Sequence, residues 1–301
     1  MRASLRKDFA KHKILYAMAV PLVVYYVVFH YFPMYGAVIA FQDYNPGAGI
    51  FGSEWVGLKH FHDFITGPYF WRLLRNTFLL SFYSLLFGFP APILLALLIN
   101  ELRSEILKRF VQSITYLPHF ISVVVISGIV IDLTNSNGLI NNIIEMLGGE
   151  RSTLTANPAL FRTIYVSSSI WTELGWGSII YLAALSTVNP HLYEAAEMDG
   201  AGRLRKAIHI TLPAIRPVIV ILLILQMGRL LSVGWEKVLL LYNPLVYETA
   251  DVIATYVYRR GLEQADYSFS AAIGLFNSIV NFILLIAANK ISQKTNETSL
   301  W

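Results

Sequence analysis

Long apolar segments dominate the sequence and leave the chain few ways to fold except across a lipid bilayer. Most are close to the ~20 residues that an α-helix needs to cross about 30 Å of hydrocarbon. Only 14% of the residues are charged and the mean hydropathy is +0.54, whereas soluble domains carry roughly 25% charged residues. We therefore predict an all-α membrane protein with six transmembrane helices, at about 14–41, 77–99, 111–133, 161–185, 215–233 and 271–289.

The basic residues are distributed unevenly between the segments that flank these spans. One set of flanking segments carries 14 Lys and Arg in 70 residues, against 8 in 102 residues of the opposite loops; this basic set comprises 1–13, 100–111, 186–217 and 289–301. Because cytoplasmic segments are enriched in basic residues, the basic set is predicted to be cytoplasmic. Both termini, 1–13 and 290–301, and a loop at 186–214 then face the cytoplasm. The flanking positions also account for the pI of about 9.1 without a nucleic-acid partner.

The polar loop between the fourth and fifth spans is predicted to fold. Asn189 can cap a helix that Pro190 opens, since proline has no N–H to lose at the first helical position. Gly200 and Gly202 are expected to end that helix, and a second, basic segment from Arg203 to His209 is expected to end before Leu212 and Pro213. The result is a small helix-turn-helix whose Ala195–Ala196 ridge suits docking into a groove of another protein.

The same loop carries a longer pattern: Glu194-Ala195-Ala196, three residues, Gly200, nine residues, Ile210, one residue, Leu212-Pro213. This pattern resembles the cytoplasmic loop of the permease subunits of ABC importers, and every fixed position is filled. The alternative is an ordinary cytoplasmic helix closed by a glycine. The resemblance implies that the loop couples the permease to an ATPase subunit through seven residues: Glu194, Ala195, Ala196, Asp199, Gly200, Leu212 and Pro213.

Further motifs are spread along nearly the whole chain, including Phe32-Pro33-Met34-Tyr35-Gly36, Trp55-Val56-Gly57-Leu58 and Tyr116-Leu117-Pro118-His119-Phe120. Together they resemble one branch of the carbohydrate importer permeases, which have a fold like that of the maltose transporter and take up oligosaccharides derived from polysaccharides. The resemblance implies a bacterial inner-membrane complex that works by alternating access. Its other members would be a second, homologous permease, two ATPase subunits and a periplasmic or extracellular sugar-binding protein.

The sequence contains no recognisable catalytic motif. It lacks the G-x-x-x-x-G-K-[ST] phosphate loop, so ATP is expected to be bound by partner subunits and this chain to hold no cofactor. Hydrolase and metalloprotease motifs are also missing. A metal site at His60, His62 and Asp63 is conceivable, because imidazole and carboxylate are metal ligands; the alternative is a polar, ordered external loop.

Burying a polar residue in an apolar span costs free energy unless the residue is hydrogen-bonded or in contact with water. Such residues are therefore candidates for a substrate path. Gln226 and Arg229, three residues apart, are expected to share a helix face, as are Asn277 and Asn281, four apart. Hydrogen bonding between helices is the alternative role for each of them. The full candidate set is Glu173, Trp176, Gln226, Arg229, Asn277 and Asn281, with Trp171 and Tyr165 as aromatic neighbours. A secondary transporter or a membrane anchor without an ATPase is the competing functional class.

Overall fold

The computed structural model of the chain describes residues 11–296. They form two compact units. The smaller unit comprises the chain up to Thr66 together with Val257–Leu275, and the larger unit comprises Gly67–Tyr256 together with the chain from Phe276 onward. The predicted cytoplasmic tail at 290–301 lies partly outside the described residues, as does most of the N-terminal segment at 1–13.

The smaller unit joins one long helical segment, Lys13–Phe41, to a small hairpin. Two short antiparallel strands, Gln42–Asp43 and Glu54–Trp55, pair Gln42 with Trp55. Short helices precede and follow the second strand, at Gly49–Gly52 and Lys59–Thr66. His60 is buried and its Nε2 lies 3.0 Å from the Gln42 carbonyl oxygen. Because these contacts hold the segment after the first span, it is an ordered substructure, as predicted.

Of the four wide π-type turns within residues 11–296, three end two residues before a proline, and the fourth, Arg259–Glu263, does not. The three turns are Val27–Tyr31 before Pro33, Ser84–Gly88 before Pro90, and Ala207–Thr211 before Pro213. A proline in a helix has no N–H to donate and its ring collides with the carbonyl four residues earlier. A wider turn moves that carbonyl away, so the helix continues through the proline. The first span therefore continues through Pro33 and is helical over Lys13–Phe41.

The larger unit is organised around one helix of 28 residues, Pro158–Leu185. Its neighbours include the helices Pro90–Asn100, Glu105–Tyr116 and Leu212–Met227. The other helices of the unit, with those shared between the units, are Phe70–Tyr83, Val123–Thr134, Leu139–Met146, Pro190–Met198, Arg203–Lys206, Trp235–Leu241, Tyr247–Ala250, Ile253–Tyr258 and Tyr267–Asn296. Single 3-10 turns lie at Leu117–Phe120, Leu154–Ala156 and Pro244–Val246.

Apolar side chains form two cores along the long helix. One surrounds Phe161, Tyr165 and Val166 and includes Val246, Ala250 and Val252 from the chain after residue 234. The other surrounds Tyr181 and Leu185 and includes Ile93, Ala96 and Ile215. The long helix is thus packed at both ends, which leaves its middle turns to border a cavity.

Within residues 11–296, five helical segments are long and apolar enough to cross a membrane: Lys13–Phe41, Phe70–Asn100, Val123–Met146, which a short turn interrupts after Thr134, Arg203–Met227 and Tyr267–Lys294. The helix Pro158–Leu185, predicted as the fourth span, is not one of them. Its length of about 42 Å suffices to span, but a serine cluster and Glu173 lower its hydropathy. The presence of several spanning helices is confirmed, and the count of six stays a prediction.

The predicted third span, 111–133, is not one helix. The helix Glu105–Tyr116 passes into a 3-10 turn at Leu117–Phe120, and a new helix begins at Val123. Pro118 cannot donate a helical hydrogen bond, and the Ser122 hydroxyl accepts one from the Val125 amide at 3.4 Å as an N-terminal cap. The break places His119 beside the middle of the long helix.

Candidate functional site

The helix Pro190–Met198, called the coupling helix after the role that the resemblance implies, begins and ends as its sequence predicts. The Asn189 side chain accepts a hydrogen bond from the His191 amide at 3.0 Å. At the other end, Gly200 has φ +74°, and its amide donates to the Glu197 carbonyl at 3.0 Å while that of Ala201 donates to Ala196 at 2.8 Å. This pair of bonds is the Schellman motif, in which a residue with positive φ closes the helix.

Two side-chain contacts hold the coupling helix to the rest of the larger unit. The Tyr193 hydroxyl lies 3.0 Å from Thr211 Oγ1, and Lys206 Nζ donates to Glu197 at 2.5 Å. In the same loop Arg203 lies 3.9 Å from Glu101. The hydrogen bond and the charge of Lys206 lower the pKa of the Glu197 carboxyl, so its ionised form is favoured. Glu194, in contrast, faces solvent and contacts only His191 within the helix, at 3.0 Å.

The basic segment after the coupling helix differs from the prediction. We expected the segment Arg203 to His209 to end before Leu212 and Pro213, but the helix runs without interruption over Arg203–Met227. The π-type turn at Ala207–Thr211 lets it pass Pro213. Leu212 and Pro213 therefore belong to the spanning helix, whereas Glu194, Ala195 and Ala196 belong to the coupling helix.

A cavity of about 890 Å³ lies within the larger unit. The long helix borders it from Tyr165 to Tyr181, and the helix Leu212–Met227 contributes Leu222, Leu225 and Gln226. The remaining walls come from the break after Tyr116, from residues 81–92, and from residues 229–237, which include the turn after Met227 and the start of the helix Trp235–Leu241. A cavity of this size can hold a small oligosaccharide.

Three of the six predicted path residues line this cavity: Glu173, Gln226 and Arg229. Glu173 Oε2 lies 3.3 Å from Nδ1 of His119, which also lines the cavity. Gln226 and Arg229 do not share a helix face as predicted, because the helix ends at Met227 and Arg229 lies in the following turn. That turn still brings the guanidinium to the cavity wall, where it makes no hydrogen bond or ion pair within residues 11–296.

The other three predicted path residues lie off the cavity. Trp176 stacks on His119 with a centroid distance of 4.6 Å and an interplanar angle of 3°. Asn281 accepts a hydrogen bond from the Leu231 amide at 2.9 Å and donates to Ser232 Oγ at 3.2 Å, and Asn277 donates to the Leu231 carbonyl at 3.5 Å. The two asparagines thus hold the turn that carries Arg229, which is the alternative role considered from the sequence.

Three acidic or basic residues that line the cavity are absent from the set predicted from the sequence: His119, Glu236 and Lys237. His119 was read only as part of a motif inside an unbroken span. Lys237 falls in 234–270, one of the three opposite loops predicted to be external, although a lysine in the apolar run Trp235–Leu241 is a signal. Its side chain is buried and Nζ donates to Ser169 Oγ at 2.9 Å. The metal site considered at His60, His62 and Asp63 does not form, since no group of three metal-binding side chains occurs within residues 11–296.

Comparison with known proteins gives a consistent result along nearly the whole chain. Residues 88–297 match the family described as "Binding-protein-dependent transport system inner membrane component". The polygalacturonan/rhamnogalacturonan transport system permease protein YteP of Bacillus subtilis (strain 168) is 50% identical over 97% of this chain and 91% of its own length.

Solved structures are also similar. A chain of a bacterial ABC transporter involved in the import of the acidic polysaccharide alginate has a TM-score of 0.89 and 44% identity, covering 97% of this chain and 99% of its own. A chain of the bacterial alginate ABC transporter in complex with alginate pentasaccharide-bound periplasmic protein matches equally well, covering 98% of this chain and 99% of its own.

Proposed function

This chain belongs to the family of binding-protein-dependent transport system inner membrane components and is a permease subunit of a carbohydrate ABC importer, and we propose that its cargo is an oligosaccharide derived from an acidic polysaccharide. The named relatives belong to a polygalacturonan/rhamnogalacturonan transport system and to a transporter involved in the import of alginate. The cavity supports the proposal because it offers both donors and acceptors to a polar ligand. Alginate itself is one candidate cargo.

The observation that carries the transport mechanism is a continuous helix between the coupling loop and the cavity. Arg203–Met227 begins five residues after the coupling helix ends, and it reaches the cavity at Leu222, Leu225 and Gln226. Its 25 residues span about 37 Å. Tyr193 ties the coupling helix to Thr211 on this helix. A displacement of the coupling helix is therefore carried to the cavity wall by a rigid element.

In the proposed cycle, the energy source is ATP bound by two partner ATPase subunits, and this chain binds no cofactor. The Ala195–Ala196 ridge allows a groove of an ATPase to approach closely, and exposed Glu194 and Asp199 offer acceptors for charge-assisted hydrogen bonds. Closure of the ATPases displaces the coupling helix, and the spans rock to expose the cavity outward. A sugar-binding protein outside the membrane then releases its cargo into the path.

The proposed assembly places the chain in a bacterial inner membrane with both termini in the cytoplasm. A second, homologous permease provides the other half of the path, and lipid covers the apolar helix faces. The chain itself has no catalytic role in this assembly, because ATP is hydrolysed by the partner subunits.

Reconstitution into liposomes tests the function. The complex of this chain with its partner subunits is expected to accumulate labelled oligogalacturonate when the binding protein and ATP are present, and to stop when ATP is replaced by a non-hydrolysable analogue. Uptake by this chain alone, driven by an ion gradient, would instead identify a secondary transporter. A chain that assembles with no ATPase and transports nothing would be a membrane anchor.

A further inference from the structure

Lys237 is a buried cation that no carboxylate within residues 11–296 contacts directly. Its side chain lies on the cavity wall and the residue is only 8% exposed. Within residues 11–296 no carboxylate approaches Nζ within 4 Å. The ammonium donates one hydrogen bond, to Ser169 Oγ at 2.9 Å, and lies 5.3 Å from the centroid of the Tyr165 ring. An ammonium has three donors, so two of them are left for a ligand.

A lysine without a contacting carboxylate at this buried position lowers the free energy of unfolding. A buried charge that is not paired costs free energy, and an apolar side chain of similar volume is often neutral or stabilising in its place. Methionine would fill the same space between Ser169 and Tyr165 without a charge to desolvate. Because an apolar side chain would pack at least as well, the positive charge of Lys237 is better explained by ligand binding than by packing.

A second cation lines the same cavity. Arg229 is exposed, and its guanidinium has neither a hydrogen bond nor an ion pair in the part of the chain that the structure describes. Three residues with acceptor groups line the cavity as well, Gln226, Glu173 and Glu236, and Glu173 contacts His119 at 3.3 Å. Amide and carboxylate oxygens accept hydrogen bonds from sugar hydroxyls, whereas ammonium and guanidinium groups bind carboxylates. The cavity thus combines the groups that a sugar acid requires.

We propose that Lys237 binds a carboxylate of the transported saccharide and that Arg229 supplies a second carboxylate contact, which makes the permease itself selective for uronate-containing oligosaccharides. This inference rests on the proposed transport function and assigns its selectivity to two side chains. A neutral sugar that displaces water from the cavity leaves Lys237 Nζ and the Arg229 guanidinium without a carboxylate in direct contact, so it is disfavoured.

The test compares Lys237→Met and Arg229→Met with the wild type in the reconstituted complex. Uptake of oligogalacturonate and of its fully methyl-esterified, uncharged form is measured with the same binding protein, so any preference of that protein cancels in the ratio of variant to wild type. Lys290→Met is the matched control, because Lys290 is exposed and lies off the cavity. Each cavity variant loses a hydrogen bond from a charged group to the ligand. We therefore expect the efficiency of oligogalacturonate uptake to fall about tenfold or more in each cavity variant, but not in the control.

A stability measurement separates binding from packing. Without the binding protein, oligogalacturonate is expected to raise the melting temperature of the wild-type and Lys290→Met complexes but not of Lys237→Met. The ligand-free Lys237→Met complex is expected to melt no lower than the wild type, since a buried unpaired charge has been removed.

Two results would overturn the inference. One is unchanged oligogalacturonate uptake by Lys237→Met. The other is an equal loss of uptake for both sugars together with a lower melting temperature of the ligand-free complex, which would make Lys237 a packing residue. A wild-type complex that takes up neither sugar with ATP would instead contradict the proposed transport function.

Discussion

Gly200 and Gly202 lie two residues apart in the coupling loop, yet only Gly200 has a backbone conformation that requires glycine. Gly200 has φ +74°, which lies in the left-handed region. Gly202 has φ −71° and ψ 167°, which any residue can adopt. A Cβ atom at either position would meet no atom within 4 Å. The difference between them is therefore purely one of backbone strain.

Gly200→Val is predicted to uncouple transport while the chain still inserts. A β-branched residue in the left-handed conformation costs roughly 1–2 kcal/mol, which strains the end of the coupling helix. Pull-down of the ATPase and ATP-driven uptake, measured on the same membranes, are expected to fall together. Gly202→Val is the control and should behave as the wild type. Normal ATPase binding and uptake by Gly200→Val would show that the closed helix end is not needed for coupling.

Asn281 and Gln226 were predicted for the same role, but the structure separates them. Asn281 makes two hydrogen bonds to the turn at Leu231 and Ser232, whereas Gln226 is exposed on the cavity wall. Asn281→Ala is expected to destabilise the complex by about 0.6 kcal/mol or somewhat more per lost hydrogen bond. Gln226→Ala is expected to leave the melting temperature unchanged and to lower uptake per assembled complex. The reverse pattern would place Asn281, not Gln226, on the substrate path.

The helices Glu105–Tyr116 and Pro158–Leu185 approach each other closely at a glycine, Gly175. A Cβ atom on Gly175 would lie 2.0 Å from the backbone oxygen of Thr115, so no side chain fits there without moving a helix. This contact also supports the break after Tyr116 that carries His119 to the cavity. Small residues allow this kind of close helix packing inside membranes.

Gly175→Ala is predicted to destabilise the assembled permease, because overpacking costs typically 1–3 kcal/mol. The measurement is the melting temperature of the purified complex, together with the amount recovered from membranes. Gly128→Ala is the matched control, since a Cβ atom at this helical glycine meets nothing within 4 Å. Equal melting temperatures for the two variants would mean that the helices separate at little cost.

At the scale of the whole molecule, membrane orientation rests on the distribution of basic residues. The predicted cytoplasmic set carries 14 Lys and Arg in 70 residues, against 8 in 102 on the other side. The distribution predicts that residues 186–214 face the cytoplasm and that residues 133–162 face outward. The chain has no cysteine, so single introduced thiols report orientation without background.

Met198→Cys and Leu147→Cys are predicted to differ in labelling by an impermeant thiol reagent. Both positions are well exposed, at 90% and 83%. In intact cells Leu147→Cys is expected to react and Met198→Cys to stay unlabelled. Permeabilised cells serve as the control, in which both should react. Labelling of Met198→Cys but not Leu147→Cys in intact cells would invert the topology.

The sequence by itself determined the features that depend on near neighbours in the chain. Asn189 and Pro190 start the coupling helix and Gly200 ends it, because caps and positive φ act within one helical turn. Long apolar runs predicted the spanning helices for the same reason, since hydrocarbon imposes a helix on each run separately. The resemblance in the coupling loop and along the chain also led to the correct family.

Only the tertiary structure decided which polar residues share the cavity. Lys237 meets Ser169 from 68 residues away, and Asn281 meets Leu231 from 50 residues away. The break after Tyr116 and the turn after Met227 turned His119, Lys237 and Arg229 toward one space, while Asn277 and Asn281 were left to hold that turn. Such assignments depend on how helices pack against each other. The periodicity of one helix shows which residues share a face, but not which other helix that face contacts.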